Sequence, residues 1–215
     1  TNAIIVYGNN DTITRNIINQ TGNSAAISLI SSGNVLSSFN NISNNNINTN
    51  GSLAYGISLA GVNYTSITSN AINTSNVNAH GIYVLGGKNN TISSNFIITT
   101  GGGRGIYLRS DANNNTVISN VINISGYAPA GIEVGYSLFN NITNNNINTS
   151  NTSIYGIYLA NSTNYTSIIG NVIFTQGSTS HGIVVSPRGY NNTFIGNSVN
   201  TTGASSNAFW MENAS

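Results

Sequence analysis

One short phrase, Ile-x-x-Asn-x-Ile, occurs eight times along the chain, and no other feature restricts the possible folds as strongly. Its two apolar positions are filled by Ile in most copies and otherwise by Val or Phe, whereas its asparagine is present in every copy. Chance does not explain eight copies in register, so the phrase indicates a repeated structural unit. The eight asparagines are Asn16, Asn45, Asn70, Asn95, Asn120, Asn145, Asn171 and Asn197.

A second marker, Gly-Ile-x-(Leu/Val), gives the length of that unit. It starts at Gly56, Gly81, Gly105, Gly131, Gly156 and Gly182, with degenerate copies at Ala3, Ala26 and Ala208. Successive markers lie 23 to 30 residues apart, and the longest interval contains a short insertion, SSGNVL, at residues 31–36. We therefore predict eight full repeats of roughly 25 residues and a partial ninth.

The spacing inside each repeat favours short β-strands. Apolar residues alternate with polar ones over three to five positions, and glycine and asparagine separate these runs. Three short strands in about 25 residues are typical of one coil of a parallel β-helix, where each strand pairs with its equivalent one coil away. The prediction is an all-β fold, a right-handed parallel β-helix (a solenoid), that forms a single repeat domain over residues 1–215.

The repeated asparagine has a structural interpretation in such a fold. Stacked asparagine side chains hydrogen-bond to one another along the axis of a β-helix. Asparagine also tolerates the left-handed backbone that a corner requires. We therefore predict that the eight asparagines form a structural ladder and take no part in catalysis or ligand binding.

Two stretches resemble a known repeat family. They read NNTISSNFIITTGGGRGIYL (residues 89–108) and NNTVISNVINISGYAPAGIEV (residues 114–134). Their wording is similar to the NosD-type, or periplasmic copper-binding, repeat family, which is related to the pectate-lyase-like helices. The resemblance covers essentially the whole chain and implies the fold. It leaves the function open, because this fold hosts lyases, hydrolases, adhesins and surface-layer proteins.

The resemblance also implies what an enzyme of this fold would need, namely clustered carboxylates, often with calcium, and a basic residue. The chain has only Asp11, Asp111, Glu133 and Glu212. Asp111 and Glu133 are the pair able to approach each other, with Arg109 nearby. A surface salt bridge explains such a trio better than catalysis does. We predict no catalytic residue and no enzymatic activity.

Metal and nucleic-acid binding are not favoured either. Copper prefers His, Met or Cys, and the chain has His80, His181, Met211 and no cysteine. The two histidines are four repeats apart, or about 19 Å at 4.8 Å per coil, too far to share a metal. We predict no metal and no cofactor. Charged residues make up 4% of the chain with a net charge of +1, and no apolar run is long enough for a membrane span.

Glycosylation sequons, Asn-x-Ser/Thr, are dense and recur at equivalent repeat positions, mostly outward or at corners. Attached glycans would keep a chain of such low charge in solution. We predict N-glycosylation among seventeen asparagines: Asn10, Asn19, Asn41, Asn50, Asn63, Asn73, Asn89, Asn114, Asn123, Asn141, Asn148, Asn151, Asn161, Asn164, Asn191, Asn200 and Asn213.

The position after the marker isoleucine points outward and is rich in aromatic residues. It carries Tyr83, Tyr107, Glu133, Tyr158 and Trp210. These side chains are candidate surface contacts for sugars or for another copy, or they simply stack on one another. A rank of outward Thr and Ser on another strand resembles an ice-binding face, but Ile118, Ile169 and Ile195 interrupt it.

The ends of the chain complete the sequence-based hypothesis. The chain opens and closes in the marker register without a polar cap, as a processed chain or an excised fragment would. Open strand edges predict head-to-tail stacking, unless neighbouring domains cover them. We therefore predict an extracellular, N-glycosylated structural protein of a cell-surface layer (S-layer), sheath or filament that partners with itself. The alternatives are a carbohydrate-binding or polysaccharide-processing module and, less favoured, an ice-binding protein.

Overall fold

The computed structural model describes residues 1–33 and 37–212 and shows a β-solenoid, which confirms the predicted fold class. Twenty-five strands, numbered β1 to β25 along the chain, form three parallel sheets that we call A, B and C. Each strand pairs with its equivalent in the next coil, as predicted. The second half of the predicted insertion, residues 34–36, and the sequon at Asn213 lie outside the described residues.

The three sheets take one strand each from every coil. Sheet A contains β1 (Ile4–Val6), β4 (Ile27–Ile30), β7 (Ile57–Ala60), β10 (Ile82–Leu85), β13 (Ile106–Arg109), β16 (Ala130–Gly135), β19 (Tyr155–Ala160), β22 (Ile183–Val185) and β25 (Phe209–Met211). Sheet B contains β2 (Thr12–Thr14), β5 (Asn41–Ser43), β8 (Ser66–Thr68), β11 (Thr91–Ser93), β14 (Thr116–Ile118), β17 (Asn141–Thr143), β20 (Ser167–Ile169) and β23 (Thr193–Ile195). Sheet C contains β3 (Ile17–Gln20), β6 (Asn46–Thr49), β9 (Ala71–Thr74), β12 (Phe96–Thr99), β15 (Val121–Ile124), β18 (Asn146–Thr149), β21 (Val172–Thr175) and β24 (Ser198–Thr201).

The core is a set of aliphatic columns that run the length of the helix. In the third coil, Ile57 and Leu59 of sheet A, Ile67 of sheet B and Ile72 of sheet C all point inward and are almost fully buried. Each pairs in register with its equivalents in the coils on either side. Burial of each such side chain stabilises the fold by about 1.5–3 kcal/mol, so neighbouring coils supply the core that one coil lacks.

The marker glycine is explained by the close approach of two sheets. A Cβ atom added to Gly81 would lie 2.5 Å from the Cγ2 atom of Ile97 and 2.6 Å from the carbonyl oxygen of Gly105 in the next coil. Equivalent collisions recur at the other marker glycines. Glycine is therefore favoured where sheet C turns into sheet A, and the degenerate Ala26 lies fully buried at the same position.

The corner between sheets B and C differs in one respect from the sequence-based interpretation, which gave the left-handed backbone to the ladder asparagine. The structure places positive φ one residue earlier, where the chain leaves sheet B. The residues with φ of 54° to 64° are Arg15, Asn44, Ser69, Ser94, Ser119, Asn144, Gly170 and Gly196. The repeated asparagine is therefore needed for its amide group and not for its backbone conformation.

In residues 1–33 and 37–212, no helix is sufficiently long and apolar to cross a membrane.

Candidate functional site

The eight predicted ladder asparagines do stack along the corner between sheets B and C. Each Nδ2 atom donates a hydrogen bond to the Oδ1 atom of the next ladder asparagine, at 2.9–3.0 Å, in all seven steps. The same Oδ1 atom accepts the backbone N–H of the preceding ladder residue. Nδ2 also donates to a core carbonyl, as from Asn120 to Ile92 at 2.9 Å. The amide groups of the interior rungs are thus fully engaged in holding coils together.

A second polar column, which the sequence analysis missed, lies at the corner before sheet B. Asn90 and Asn115 donate their backbone N–H groups to the Oδ1 atoms of Asn115 and Asn140, both at 2.9 Å. Thr65 occupies the same position one coil before Asn90 and donates to it. In the sequence, this column corresponds to an asparagine that recurs two residues before the first motif isoleucine. Threonine replaces that asparagine in two coils, which obscures the pattern.

The outward surface of sheet A carries the largest group of aromatic side chains. Tyr55 and His80 stack with their ring planes 3° apart and their centroids 5.0 Å apart. Tyr83 and Tyr107 pack against the same imidazole. Four coils further on, Tyr155, Tyr158, His181 and Trp210 form an equivalent group. We call these eight side chains the aromatic face.

An ion pair lies between the two aromatic groups. Arg104 donates from Nε to Oε2 of Glu133 at 2.5 Å, and its guanidinium lies 4.1 Å from the ring centroid of Tyr107. This is the one ion pair in the part of the chain that the structure describes, and it replaces the predicted approach of Arg109. The guanidinium of Arg109 instead lies 5.9 Å from the ring centroid of Tyr107. Asp111 is exposed on the turn that follows.

The predicted surface contacts on this face differ in exposure. Tyr107 and Glu133 point away from the core but are only 8% and 4% exposed, because the neighbouring rings and Arg104 cover them. Tyr83 and Tyr158 are half-buried, and Trp210 is exposed. Burial raises the pKa of the Tyr107 hydroxyl, and Glu133 raises it further. The centre of the face is therefore a packed layer, and only its flanks are open to a ligand.

His80 is held in one neutral form by its surroundings. Its Nδ1 atom accepts the backbone N–H of Arg104 at 3.0 Å, which leaves the proton on Nε2. Burial, and then the charge of Arg104, lower the pKa of His80 to about 3. His181 is held in the same way, because its Nδ1 atom accepts the backbone N–H of Asn207. Burial lowers the pKa of His181 as well. Neither imidazole has a free basic nitrogen, so neither fits the role of a general base.

The neutral state of His80 leads to a pH prediction. In an unfolded chain the imidazole takes up its proton near pH 6.5, whereas the folded protein resists it until about pH 3. The stability of the fold should therefore decrease as the pH falls from 6.5 towards 3. An NMR titration of the His80 ring should show no protonation above about pH 4. Protonation of His80 near pH 6.5 in the folded protein would contradict this account.

The flank of the aromatic face forms a shallow groove of about 450 Å³. Tyr127, Pro129, Tyr155 and Tyr158 line it, together with the hydroxyl-bearing Thr152 and Ser153. Tyr127 is 82% exposed and also borders a neighbouring groove of about 300 Å³. Open aromatic rings beside hydroxyl groups provide the surface chemistry that sugars require.

The sequons are distributed over the outside of the helix, with a few exceptions. Asn164 is buried, and Asn63, Asn123, Asn148 and Asn151 are half-buried. A glycan has no room at Asn164, whose Oδ1 atom accepts the backbone N–H of Tyr190. The exposed sequon asparagines are Asn10, Asn19, Asn41, Asn50, Asn73, Asn89, Asn114, Asn141, Asn161, Asn191 and Asn200.

A copper site does not fit the donors of this chain. His80 and His181 are both buried, and each uses Nδ1 to accept a backbone N–H. They lie four coils apart, or about 19 Å. Met211 pairs in register with Val185, in a core column and not beside the aromatic face. Over the described residues, no three His, Cys, Asp or Glu side chains cluster closely enough to hold a metal ion.

Two solved structures have a similar backbone path over most of this chain. One, described as Geobacillus virus E2 ORF18, has a TM-score of 0.46 and 12% sequence identity over 97% of this chain and 53% of its own. The Dettilon tailspike protein (gp208) has a TM-score of 0.44 and 13% identity over 94% of this chain and 61% of its own. The chain thus spans between half and two thirds of these structures. No protein of curated function matches the sequence significantly.

A family model matches residues 73–215, about two thirds of the chain. The model is that of NosD, described as a periplasmic copper-binding protein. The matched region begins in β9 and includes five of the eight rungs of the asparagine ladder. Together with the stacked parallel coils, this match shows that the chain belongs to the NosD family of β-helix repeat proteins.

Proposed function

We propose that this chain is a structural module of an extracytoplasmic layer, sheath or filament, in which copies pack side by side through sheet C. The family to which it belongs is described as periplasmic, which supports a location outside the cytoplasm. A cell-surface position and the self-association of the chain are the further steps that we propose here.

The outward face of sheet C carries the proposal. None of its eight strands contains a charged residue. The first outward position of these strands forms a straight row, because the strands pair in register. Large, exposed apolar side chains fill half of the row, namely Ile17, Phe96, Val121 and Val172. The complete row is Ile17, Asn46, Ala71, Phe96, Val121, Asn146, Val172 and Ser198. We call it the sheet C row.

A second copy is the occupant that suits this row best. Two such rows meet without removing any charge from water, and apolar burial at their centre favours association. The row follows the axis of the helix, so two copies would contact each other along their whole length. End-to-end stacking, which the sequence predicts from the open strand edges, stays a separate prediction and is not needed for this contact.

N-linked glycans belong to the same proposal. Sequons lie exposed on the turns and on sheet B, for example at Asn89 and Asn141. Glycans there would coat the surface that faces water and leave the sheet C row free. Five sequon asparagines lie on sheet C itself, next to the row, so we expect them to carry no glycan in assembled material: Asn19, Asn73, Asn123, Asn148 and Asn200.

Imaging of the purified protein tests the proposal. Negative-stain micrographs should show side-by-side pairs or larger arrays of rods at high protein concentration. Particles that stay single at every concentration would contradict self-association. Mass spectrometry of native material measures the glycans independently. The intact mass is compared with the 22.4 kDa of the unmodified chain, and glycopeptides identify the occupied sequons.

Recognition of a neutral polysaccharide is the second candidate function, and the groove beside Tyr155 and Tyr158 favours it. Retention of the protein on an immobilised polysaccharide, lost in the Tyr158→Ala variant, would support this candidate. Burial of Tyr107 makes Tyr158 the better residue to test.

A further inference from the structure

A column of eight residues at the corner before sheet B contains only aromatic residues and sequon asparagines. In chain order it reads Asn10, Phe39, Tyr64, Asn89, Asn114, Phe139, Tyr165 and Asn191. All four asparagines are followed two residues later by threonine. Each aromatic pair is therefore bracketed on both sides by a sequon, and the pattern repeats after four coils. We call this set the corner column.

The eight residues have the same backbone geometry. Their φ angles all lie between 51° and 60°, in the left-handed region. The N–H groups of the first seven donate to the next coil in the same register, as from Tyr64 to the carbonyl of Lys88 and from Phe139 to that of Asn164. Equal backbone geometry makes the side chains leave the helix in the same direction, one coil step, about 4.8 Å, apart.

The aromatic members of the corner column are placed unfavourably by intrinsic preference. Asparagine tolerates positive φ, whereas a bulky aromatic residue is rare there and strained. Phe39 and Tyr64 nevertheless stack at 5.0 Å with 7° between their planes, and both are more than half exposed. Phe139 and Tyr165 repeat the arrangement at 4.9 Å and 15°. Strain combined with exposure points to a further contact on these rings.

The free ring faces point at the sequons. One face of Tyr64 packs on Phe39, and the other looks along the axis towards Asn89, one coil away. Phe139 likewise packs on Tyr165 and looks towards Asn114. A sugar attached to Nδ2 begins just beyond the end of the asparagine side chain. It therefore lies at the same distance from the backbone as the outer half of a tyrosine or phenylalanine ring.

We propose that the corner column is a glycosylation site in which the first sugar on Asn89 and on Asn114 packs against the ring of Tyr64 and of Phe139. This inference rests on the glycosylation named in the proposed function and specifies where it occurs and what holds the glycan. The attachment joins Nδ2 to the anomeric carbon of a sugar carried by a lipid-linked phosphate donor. The carbon–oxygen bond to the phosphate breaks, and the amide nitrogen loses one proton.

Glycopeptide mass spectrometry and thermal unfolding of protein from a glycosylating host test the inference. Asn89 and Asn114 should be occupied. The Asn89→Gln variant should lower Tm by about 2–4 °C when Tyr64 is present and by less than about 1 °C in a Tyr64→Ser background. Asn114→Gln with Phe139→Ser provides an independent second pair. Asn141→Gln is the matched control, because Asn141 is exposed on sheet B with only Thr116 and Ser167 as column neighbours.

The outcomes separate this inference from the proposed function. Glycans at Asn141 but not at Asn89 or Asn114 would overturn the corner column alone. Equal losses of Tm with and without Tyr64 would do the same, since the ring would then not hold the sugar. No glycan at any sequon would overturn both this inference and the glycosylation part of the proposed function. The self-association part would be unaffected, because imaging tests it independently.

Discussion

Replacement of Asn145 by alanine is expected to lower the free energy of unfolding by about 4 kcal/mol. Asn145 is a buried rung in the middle of the asparagine ladder. Its Oδ1 atom accepts two hydrogen bonds from Asn120, and its Nδ2 atom donates to Val117 and to Asn171. Alanine removes all of these at once and leaves the partner groups buried, each at a cost of about 1–3 kcal/mol.

Asn146 provides the matched control for this experiment. It is the next residue along the chain and the same amino acid, but its side chain is exposed on sheet C. Asn146→Ala should change the free energy of unfolding by no more than about 0.5 kcal/mol. Chemical denaturation of both variants measures the difference. Similar losses in the two variants would show that the ladder does not hold the coils together.

Lysine at two adjacent positions of the sheet C row should convert assemblies of this protein into single particles. Phe96 and Val121 pair in register in neighbouring coils, and both side chains are exposed. In the Phe96→Lys, Val121→Lys variant, two rows that meet would have to remove like charges from water, which costs several kcal/mol. Sedimentation velocity should then report a species near 22.4 kDa at concentrations where the unaltered protein assembles.

The control for the lysine variant lies on another face of the same two coils. Ser93 and Ile118 of sheet B pair in register as Phe96 and Val121 do, and neither residue belongs to a sequon. Ser93→Lys with Ile118→Lys adds the same charge and the same repulsion between neighbouring strands, but away from the sheet C row. Assembly should survive in this control. Loss of assembly in both variants would indicate a general effect of charge and not a contact through sheet C.

The local pattern of the sequence was sufficient to predict the fold. Strands, turns and inward isoleucines recur in a fixed order, so the position of Ile67 or Ile72 within its coil can be inferred from its own repeat. The register between coils follows, because equivalent positions stack. The backbone conformation at the corner could not be assigned in this way. Ser94 and the ladder residue Asn95 are adjacent, and either could have had the positive φ that the structure gives to Ser94.

Contacts between outward side chains were harder to predict than the core. Whether Glu133 pairs with Arg104 or with Arg109 depends on the path of the GGGRG turn, and the repeat pattern does not describe that turn. Burial of Tyr107 likewise depends on its neighbours in other coils. The corner column and the sheet C row became evident only when the register placed Tyr64 beside Phe39 and Phe96 beside Val121. A comparison of equivalent repeat positions four coils apart would have revealed the aromatic pairs.

Cross-linking through single cysteines tests the central claim, side-by-side packing through sheet C, most directly. The chain has no cysteine, so an introduced thiol is unique. With a short bismaleimide, Phe96→Cys should give covalent dimers in high yield, whereas Thr91→Cys, exposed on sheet B of the same coil, should give few. Equal yields from the two variants, or no dimer from Phe96→Cys in protein that assembles, would contradict packing through sheet C.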